Sequence, residues 1–335
     1  MSPSAEALIP MSVDPDALRD HPRDSDEAVH NTLVDWISDR GVLTISDSDL
    51  DDFYDAIKGL SDLPKTLWVK LLGALYDLNR LDQDPDALSV ASLLNELGLS
   101  DAANRIRLLV AGGTAAAAKG VDYAVGSRVV GATEVVLAGT LHRAALLQAS
   151  ETVGIFPAGQ SRRRAVASRF LEPLARRSHA VKAVDPHLLE DIVNGSATIP
   201  HTEWLVTTLG MAMPPNATLS VLGKLQWHWD SDERIHQEAR IADFLATALS
   251  GRTDPLTVHV RAVKATPLKN RFLWFSCGHS YDVLHNFAPL ADDPLNEELR
   301  FSRQIDYVAE ETLRTAERIE NARQATMVSV TRSFP

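Results

Sequence analysis

The sequence contains a single cysteine, Cys277, so it can form neither an internal disulfide nor a zinc site built from cysteines. Long apolar runs are also missing, since none approaches the roughly 20 residues that a membrane-spanning helix needs. The N-terminus has no basic segment followed by an apolar core and so does not look like a secretory signal. These absences predict a cytoplasmic protein without a membrane span.

Positive charge is scarce: 33 lysines and arginines stand against 45 aspartates and glutamates, for a net charge of -12. Affinity for nucleic-acid phosphates comes from clustered Lys and Arg, so this balance argues against a general nucleic-acid coat. It leaves room for a local basic patch. The apolar content of 45% supports a true core, and 335 residues suit two domains.

The N-terminal part of the chain predicts helices only. Residues 1–25 are rich in Pro, Asp and Ser and are interpreted as a flexible acidic tail. Between residues 26 and 103, apolar side chains such as Val29, Leu33 and Ile37 recur at helical spacing. Four such helices with short connections predict an all-helical module, interpreted as a scaffold or a partner-docking module.

After residue 103, short apolar runs alternate with helical patterns, which predicts a layered α/β domain over 104–335. The expected fold is therefore an all-α module followed by an α/β domain. The predicted strands cover 106–110, 134–138, 179–184, 217–222, 256–263 and 271–276.

Complete catalytic and nucleotide-binding motifs are missing. The sequence has no G-x-G-x-x-G, no Walker ending, no G-x-S-x-G and no H-E-x-x-H. Gly112-Gly113 follows a predicted strand and opens a helix, and such a helix N-terminus can hold an anion. Without the motif spacing, an ordinary strand-to-helix turn is the favoured interpretation.

Two clusters combine histidines with carboxylates. Residues 228–236 (HWDSDERIH) could supply metal ligands, although an N-cap with an acidic first helical turn explains them better. His279, Asp282 and His285 follow one another at three-residue spacing and form the candidate catalytic set. The alternative is a structural role in a strand of the sheet.

Arginines recur along one predicted helix. Arg162, Arg169 and Arg176 are seven residues apart, nearly two helical turns, which predicts a stripe along one face. Such a stripe could contact phosphate groups of nucleic acid or lipid. The alternative is a solvated face.

The C-terminal half resembles a known family. Residues 170–178 (FLEPLARRS) lead into a strand that ends in Asp185-Pro186-His187, and a later strand opens with Lys269-Asn270-Arg271 before Gly278-His279-Ser280. This order is similar to that of the phospholipase D-like domain found in bacterial defence-associated proteins and at the C-terminus of MIT-containing proteins. The resemblance covers about residues 150–305.

The resemblance implies a degenerate copy. Phospholipase D-type chemistry uses His-x-Lys-x4-Asp, in which histidine attacks the phosphate and lysine holds its oxygens. The corresponding position here is Lys269-Asn270-Arg271, without a histidine, and His259-x-Arg261 lacks the Lys and the following Asp. The resemblance therefore implies a domain that binds phosphate through Arg271, Asp185 and His187, together with the arginine stripe, and does not catalyse.

The leading hypothesis is a non-catalytic binding or adaptor component of a prokaryotic system for anti-phage or other defence. It would bind nucleic acid or a partner protein within a complex, without a cofactor. The resemblance also implies a homodimer. The alternative is a phosphodiesterase or nuclease that uses His279, Asp282 and His285, with a divalent metal. A third hypothesis is a structural member of a complex without a ligand site.

Overall fold

The computed structural model divides the chain into two compact units, Met1–Val153 and Gly154–Pro335, here called the N-terminal and C-terminal units. Each unit is built around its own mixed sheet. The structure describes residues 6–84, 86–97, 105–189, 201–225, 231–264, 271–284, 286–304, 306–321 and 326–334.

The N-terminal unit alternates strands and helices along most of its length. Its strands are Ile9–Val13 (β1), Gly41–Ser46 (β2), Leu81–Asp84 (β3), Leu108–Ala111 (β4), Ser127–Val130 (β5) and Thr133–Leu137 (β6). Its α-helices are Pro15–Arg19 (α1), Glu27–Arg40 (α2), Asp47–Lys58 (α3), Asp62–Asp77 (α4), Val90–Glu96 (α5), Gly113–Ala118 (α6) and Ala145–Ser150 (α7).

The sheet of the N-terminal unit has the order β3-β2-β1-β4-β6-β5. All neighbouring pairs are parallel except β5 with β6. The chain runs from β1 outward to β2 and β3, then returns to the other side of β1 with β4. The strand order therefore reverses between β1 and β4, which is where α/β sheets open a crevice at the carboxyl ends of the strands.

The first 103 residues correct two predictions. The predicted flexible tail contains β1, a buried central strand that pairs with both β2 and β4. The predicted helices exist as α2 to α5, but β2 and β3 lie between them, so the region is not an all-helical module. Pro10 within β1 and the polar sequence of β3 (LDQD) concealed these strands, because proline and charged residues are uncommon in sheets.

The described residues of the C-terminal unit form eight strands. They are Ile155–Phe156 (β7), Ala180–Val184 (β8), Ala217–Leu225 (β9), Leu256–Lys264 (β10), Phe272–Phe275 (β11), His279–Leu284 (β12), Leu299–Arg303 (β13) and Thr326–Phe334 (β14). Its helices are Arg163–Val166 (α8), a π-helical segment Ala167–Leu171, Glu172–Arg176 (α9), His201–Ala212 (α10), Ser231–Ala248 (α11) and Asp306–Asn321 (α12).

The sheet of the C-terminal unit has the order β14-β10-β9-β8-β11-β12-β13-β7. Only β8, β9 and β10 are parallel to one another, and the remaining pairs are antiparallel. The chain runs from β8 through β9 to β10, then returns to the other side of β8 with β11. A second reversal of strand order therefore lies between β8 and β11.

Both faces of this sheet are covered. On one face Val184, Leu222 and Phe272 pack with Ala316 of α12. The other face holds an aromatic cluster, in which Phe170 from the π-helical segment stacks on Phe301 with ring centroids 4.3 Å apart. Phe156 and Tyr281 contact the same cluster edge-on.

The predicted α/β character of residues 104–335 is confirmed, and the six predicted strands appear as β4, β6, β8, β9, β10 and β11. The predicted boundary at residue 103 differs from the structure. Strand β4 pairs with β1 on the side away from β2, and β6 pairs with β4. Both strands therefore belong to the sheet of the N-terminal unit. The boundary between the two units therefore lies at Val153, fifty residues further on.

Candidate functional site

The candidate site lies at the carboxyl end of β8, where the strand order of the C-terminal sheet reverses. Asp185 follows the last residue of β8, and Arg271 precedes the first residue of β11. The register pairs Val184 with Phe272, so Asp185 and Arg271 are adjacent across the two strands. This register places a carboxylate and a guanidinium side by side at the point where the strand order reverses.

Asp185 is a buried carboxylate with unused hydrogen-bonding capacity. Its side chain is 1% exposed, and Oδ1 accepts a hydrogen bond of 2.7 Å from the backbone N–H of His187. Among the described residues, Oδ2 has no hydrogen-bond partner. A buried carboxylate normally satisfies both oxygens, so Oδ2 is positioned to interact with a proton or a ligand.

Burial raises the pKa of Asp185 above its ordinary value, because the charged form loses its hydration. The backbone hydrogen bond from His187 and the charges of Arg271, His187 and His201 lower the pKa, but by less than burial raises it. A buried carboxyl group with a raised pKa beside histidines is the kind of group that functional sites contain.

Arg271 contacts the carboxylate without a close hydrogen bond. Its Nε lies 3.7 Å from Oδ1 of Asp185, longer than the 2.7–2.9 Å typical of charge-assisted hydrogen bonds. Nε is buried and has no hydrogen-bond partner in the part of the chain that is described. The side chain as a whole is 32% exposed, so the guanidinium reaches from the buried carboxylate towards solvent.

His201 is the member of this group that sequence reasoning missed. It begins α10, is 7% exposed, and lies close enough to Asp185 to lower the pKa of the carboxyl group. In the sequence, Pro200 marks the start of a helix, but nothing indicates that His201 lies near Asp185. The structure therefore brings together Asp185, His187 and Arg271, which were predicted, with one histidine that was not.

His279 lies at the opposite end of these strands. It pairs in register with Phe275, four residues beyond Arg271, which is roughly 13 Å along a strand. Its ring is buried, stacks on Tyr281, and Nδ1 is 3.1 Å from the Tyr281 hydroxyl. His279 and Arg271 therefore lie at opposite ends of β11 and do not share one cleft.

Asp282 faces away from His279. The two residues are three apart in β12, so the alternation of strand side chains places them on opposite faces of the sheet. Oδ1 of Asp282 accepts a hydrogen bond of 2.7 Å from the amide of Gln304. His285 lies outside the described residues. The structure therefore does not bring His279 and Asp282 together as a catalytic pair.

The arginines of the predicted stripe are not equivalent. Arg162 is exposed and caps α8 rather than lying within it. Arg169 falls in the π-helical segment, where i→i+5 hydrogen bonds change the angular spacing of side chains. Arg176 is exposed and pairs with Glu172 at 2.7 Å. The seven-residue spacing therefore does not produce one regular stripe.

Metal ligation finds no support in the described ranges, which contain no group of three His, Cys, Asp or Glu side chains that could hold an ion. Of the predicted alternative cluster, His228 and Asp230 lie outside those ranges, and His236 is exposed on α11. Lys269 and Asn270, at the position where the resembled family has its histidine, also lie outside them.

Comparison of the chain with protein-family models, curated proteins and solved structures finds no match. Among the helices of the described residues, none has the length and apolar character needed to cross a lipid bilayer. The fold and the site thus define an α/β protein in which a buried Asp185 pairs with a partly exposed Arg271 at a strand-order reversal. That pair is the feature from which a function can be inferred.

Proposed function

We propose that this protein is a binding component that holds a phosphate-bearing ligand at the carboxyl end of β8. The observation that carries the proposal is Arg271, whose side chain is one-third exposed and lies beside a buried carboxylate without a close hydrogen bond to it. Guanidinium groups bind phosphate through paired N–H donors, which gives arginine its role in phosphate recognition.

The charge state of Asp185 supports anion binding. An ionised Asp185 would cancel the charge of Arg271, but burial raises the pKa of this carboxyl group and favours its neutral form. Protonation of Asp185 removes the negative charge beside Arg271. The site therefore gains net positive charge as the pH falls, and phosphate binding should strengthen in that direction.

The phospholipase D-like assignment belongs to the same proposal. The helical segments before β8, the Asp185-Pro186-His187 turn and the strand after Arg271 are the features that carry the resemblance. On this basis we propose a degenerate phospholipase D-like C-terminal unit in an adaptor that works with protein partners or nucleic acid, in a prokaryotic defence system.

Fluorescence anisotropy with labelled single-stranded and duplex DNA tests the binding proposal, with inorganic phosphate as competitor. We expect Arg271→Gln to weaken binding at least tenfold, since a hydrogen bond to a charged group contributes about 1.5–3 kcal/mol. The dependence of log K on log salt should become shallower by about 0.7–0.9, because one phosphate contact is lost.

Arg314→Gln is the matched control, because Arg314 is 65% exposed on α12 and its Nη2 lies 2.7 Å from Oε1 of Glu310. This variant should bind DNA as the wild type does. Equal affinity of the wild type and Arg271→Gln, or an equal loss in both variants, contradicts binding at the Asp185–Arg271 pair. Binding of inorganic phosphate in isothermal titration calorimetry, without any DNA binding, would indicate a small phosphorylated ligand in place of nucleic acid.

A phosphodiesterase is the second candidate, favoured by the raised pKa of Asp185 between two histidines. Its residues would be Asp185, His187 and His201 in place of the His279 set. Hydrolysis of bis(p-nitrophenyl) phosphate, with Mg²⁺ or Mn²⁺ and with chelator, tests it. Activity lost in His187→Gln and His201→Gln but kept in His279→Ala supports this candidate. Absence of turnover under all these conditions rejects it.

A further inference from the structure

The N-terminal unit contains an open cavity of about 390 Å³ at the carboxyl ends of β4 and β6. It lies beside the reversal of strand order between β1 and β4, the position at which α/β sheets bind small molecules. Ligand cavities commonly measure about 300–1,000 Å³. Its size and place are therefore those of a small-molecule site, separate from the Asp185–Arg271 pair.

The backbone groups that would hold a phosphate here are already in use. The N–H of Gly112 donates to Oδ2 of Asp14 at 3.0 Å, and the N–H of Gly113 donates to Oδ2 of Asp20 at 2.7 Å. In dinucleotide-binding folds the glycine-rich turn after a strand offers such amides to pyrophosphate. Here two carboxylates occupy that position, so an anionic ligand would meet repulsion instead of donors.

The cavity walls combine negative charge with apolar surface. Asp20 and Asp122 supply the carboxylates, and alanines, Val121 and Leu137 supply the apolar part. Tyr123 lines the opening and is 63% exposed. His21 also lines the cavity, and no lysine or arginine is among its described lining residues, so the two aspartates outnumber the one basic side chain.

We propose that this cavity binds a small organic cation, an amine or a guanidinium compound with an apolar or aromatic body. The carboxylate of Asp20 would accept hydrogen bonds from the cationic group. The face of Tyr123 would add a cation–π contribution. The apolar wall would cover the body of the ligand, as in most small-molecule sites.

Ligand-observed NMR tests the charge preference with tyramine, 4-ethylphenol and 4-hydroxyphenylacetate. These probes share one ring and differ in bearing a positive, no or a negative charge. We expect tyramine to bind most tightly, at least fivefold more than 4-ethylphenol, and 4-hydroxyphenylacetate to bind least. Asp20→Asn should remove most of the preference for tyramine, while its amide oxygen still accepts the hydrogen bond from Gly113.

Two further variants test the cavity by changing its volume without changing its charge. Ala117 lines the cavity, so Ala117→Leu should fill part of it and weaken tyramine binding, whereas Ala118→Leu, on the same helix but outside the lining, should not. Far-ultraviolet circular dichroism confirms that each variant is folded. Arg271→Gln should leave tyramine binding unchanged, because Arg271 belongs to the C-terminal unit.

Three results would each overturn the proposal. The first is absence of tyramine binding to the folded wild type. The second is binding of 4-hydroxyphenylacetate as tight as that of tyramine. The third is tyramine binding that neither Asp20→Asn nor Ala117→Leu reduces.

Discussion

Asp185 has a pKa that burial raises, and this shift links the candidate site to the stability of the C-terminal unit. A raised pKa means that the folded protein holds the proton more tightly than the unfolded chain does. The stability that this group contributes is present below its ordinary pKa of 3.8. It is lost as the pH rises through the folded-state value.

We therefore expect Asp185→Asn to gain stability relative to the wild type as the pH rises from 4 to 7. The oxygen of the introduced amide can still accept the hydrogen bond from the backbone N–H of His187, and the amide carries no charge that burial would penalise. Urea denaturation at several pH values measures this difference. A free-energy difference between the two proteins that stays constant with pH would contradict the prediction.

Asp52→Asn provides a control with the opposite sign. The hydrogen bond from the Arg19 guanidinium lowers the pKa of Asp52, so its contribution is present above the ordinary pKa and lost as the pH falls. Relative to the wild type, Asp52→Asn should therefore lose stability as the pH rises. The effect should be small, because Asp52 lies at the surface and water screens its charge.

At the residue scale, the sequence predicted the members of the site that adjoin strand ends. Asp185 and His187 follow an apolar strand and Arg271 precedes another, so the topology alone brings them to one edge. His201 could not be predicted, since its position depends on the packing of α10. His279 was assigned a catalytic role from spacing, whereas its stacking on Tyr281 depends on a hairpin register that spacing does not reveal.

At the scale of elements, helices were easier to predict than strands in the N-terminal unit. Helices α2 to α4 have apolar residues at regular spacing, which the sequence displays directly. Strand β2 is an almost continuous apolar run directly after the end of α2. Gly41 is both the C-cap of α2 and the first residue of β2. The sequence signal for a helix end and that for a strand start coincide there, so only the helix was predicted.

The turn between β4 and α6 provides a prediction about how elements pack. A Cβ on Gly112 would lie 2.8 Å from Cβ of Asp16, and 3.1 and 3.2 Å from backbone atoms of Asp16 and Ala17. Gly112 is therefore required because helix α1 approaches this turn closely. We expect Gly112→Ala to lower the free energy of unfolding by about 1–3 kcal/mol, the usual cost of overpacking.

Gly113→Ala is the matched comparison one residue further on. A Cβ there meets only Oδ2 of Asp20 at 3.4 Å, which is close to ordinary contact. Because alanine also favours a helical conformation more than glycine does, this variant should change stability by less than about 0.5 kcal/mol or stabilise slightly. Urea denaturation measures the free energy of unfolding of both variants. Similar losses of stability would show that glycine is required at position 112 for backbone flexibility and not for the close contact with α1.

At the scale of the whole molecule, the sequence indicated two domains but not their boundary. The change in pattern after residue 103 marks the start of easily recognised strands, not the end of a folding unit. Strand β4 inserts beside β1 although about 95 residues separate them, and such long-range pairing leaves no local signal. The boundary depends on which strands share a sheet, which the order of elements does not determine.

The division into two units predicts two separate cores. Leu109 is fully buried in a cluster with Val135 and Ile106 in the N-terminal unit, and Leu273 is fully buried in β11 of the C-terminal unit. Truncating a buried leucine to alanine costs about 2–5 kcal/mol. In a unit of 150–200 residues, a loss of about 3 kcal/mol lowers the Tm by roughly 6–12 °C.

Differential scanning calorimetry of the full chain then distinguishes the two cores. Leu109→Ala should shift one part of the unfolding endotherm to lower temperature and leave the remainder in place, and Leu273→Ala should shift the complementary part. This follows because each leucine contributes to the packing of one unit only. A single transition that moves as a whole in both variants would instead mean that the two units unfold as one cooperative structure.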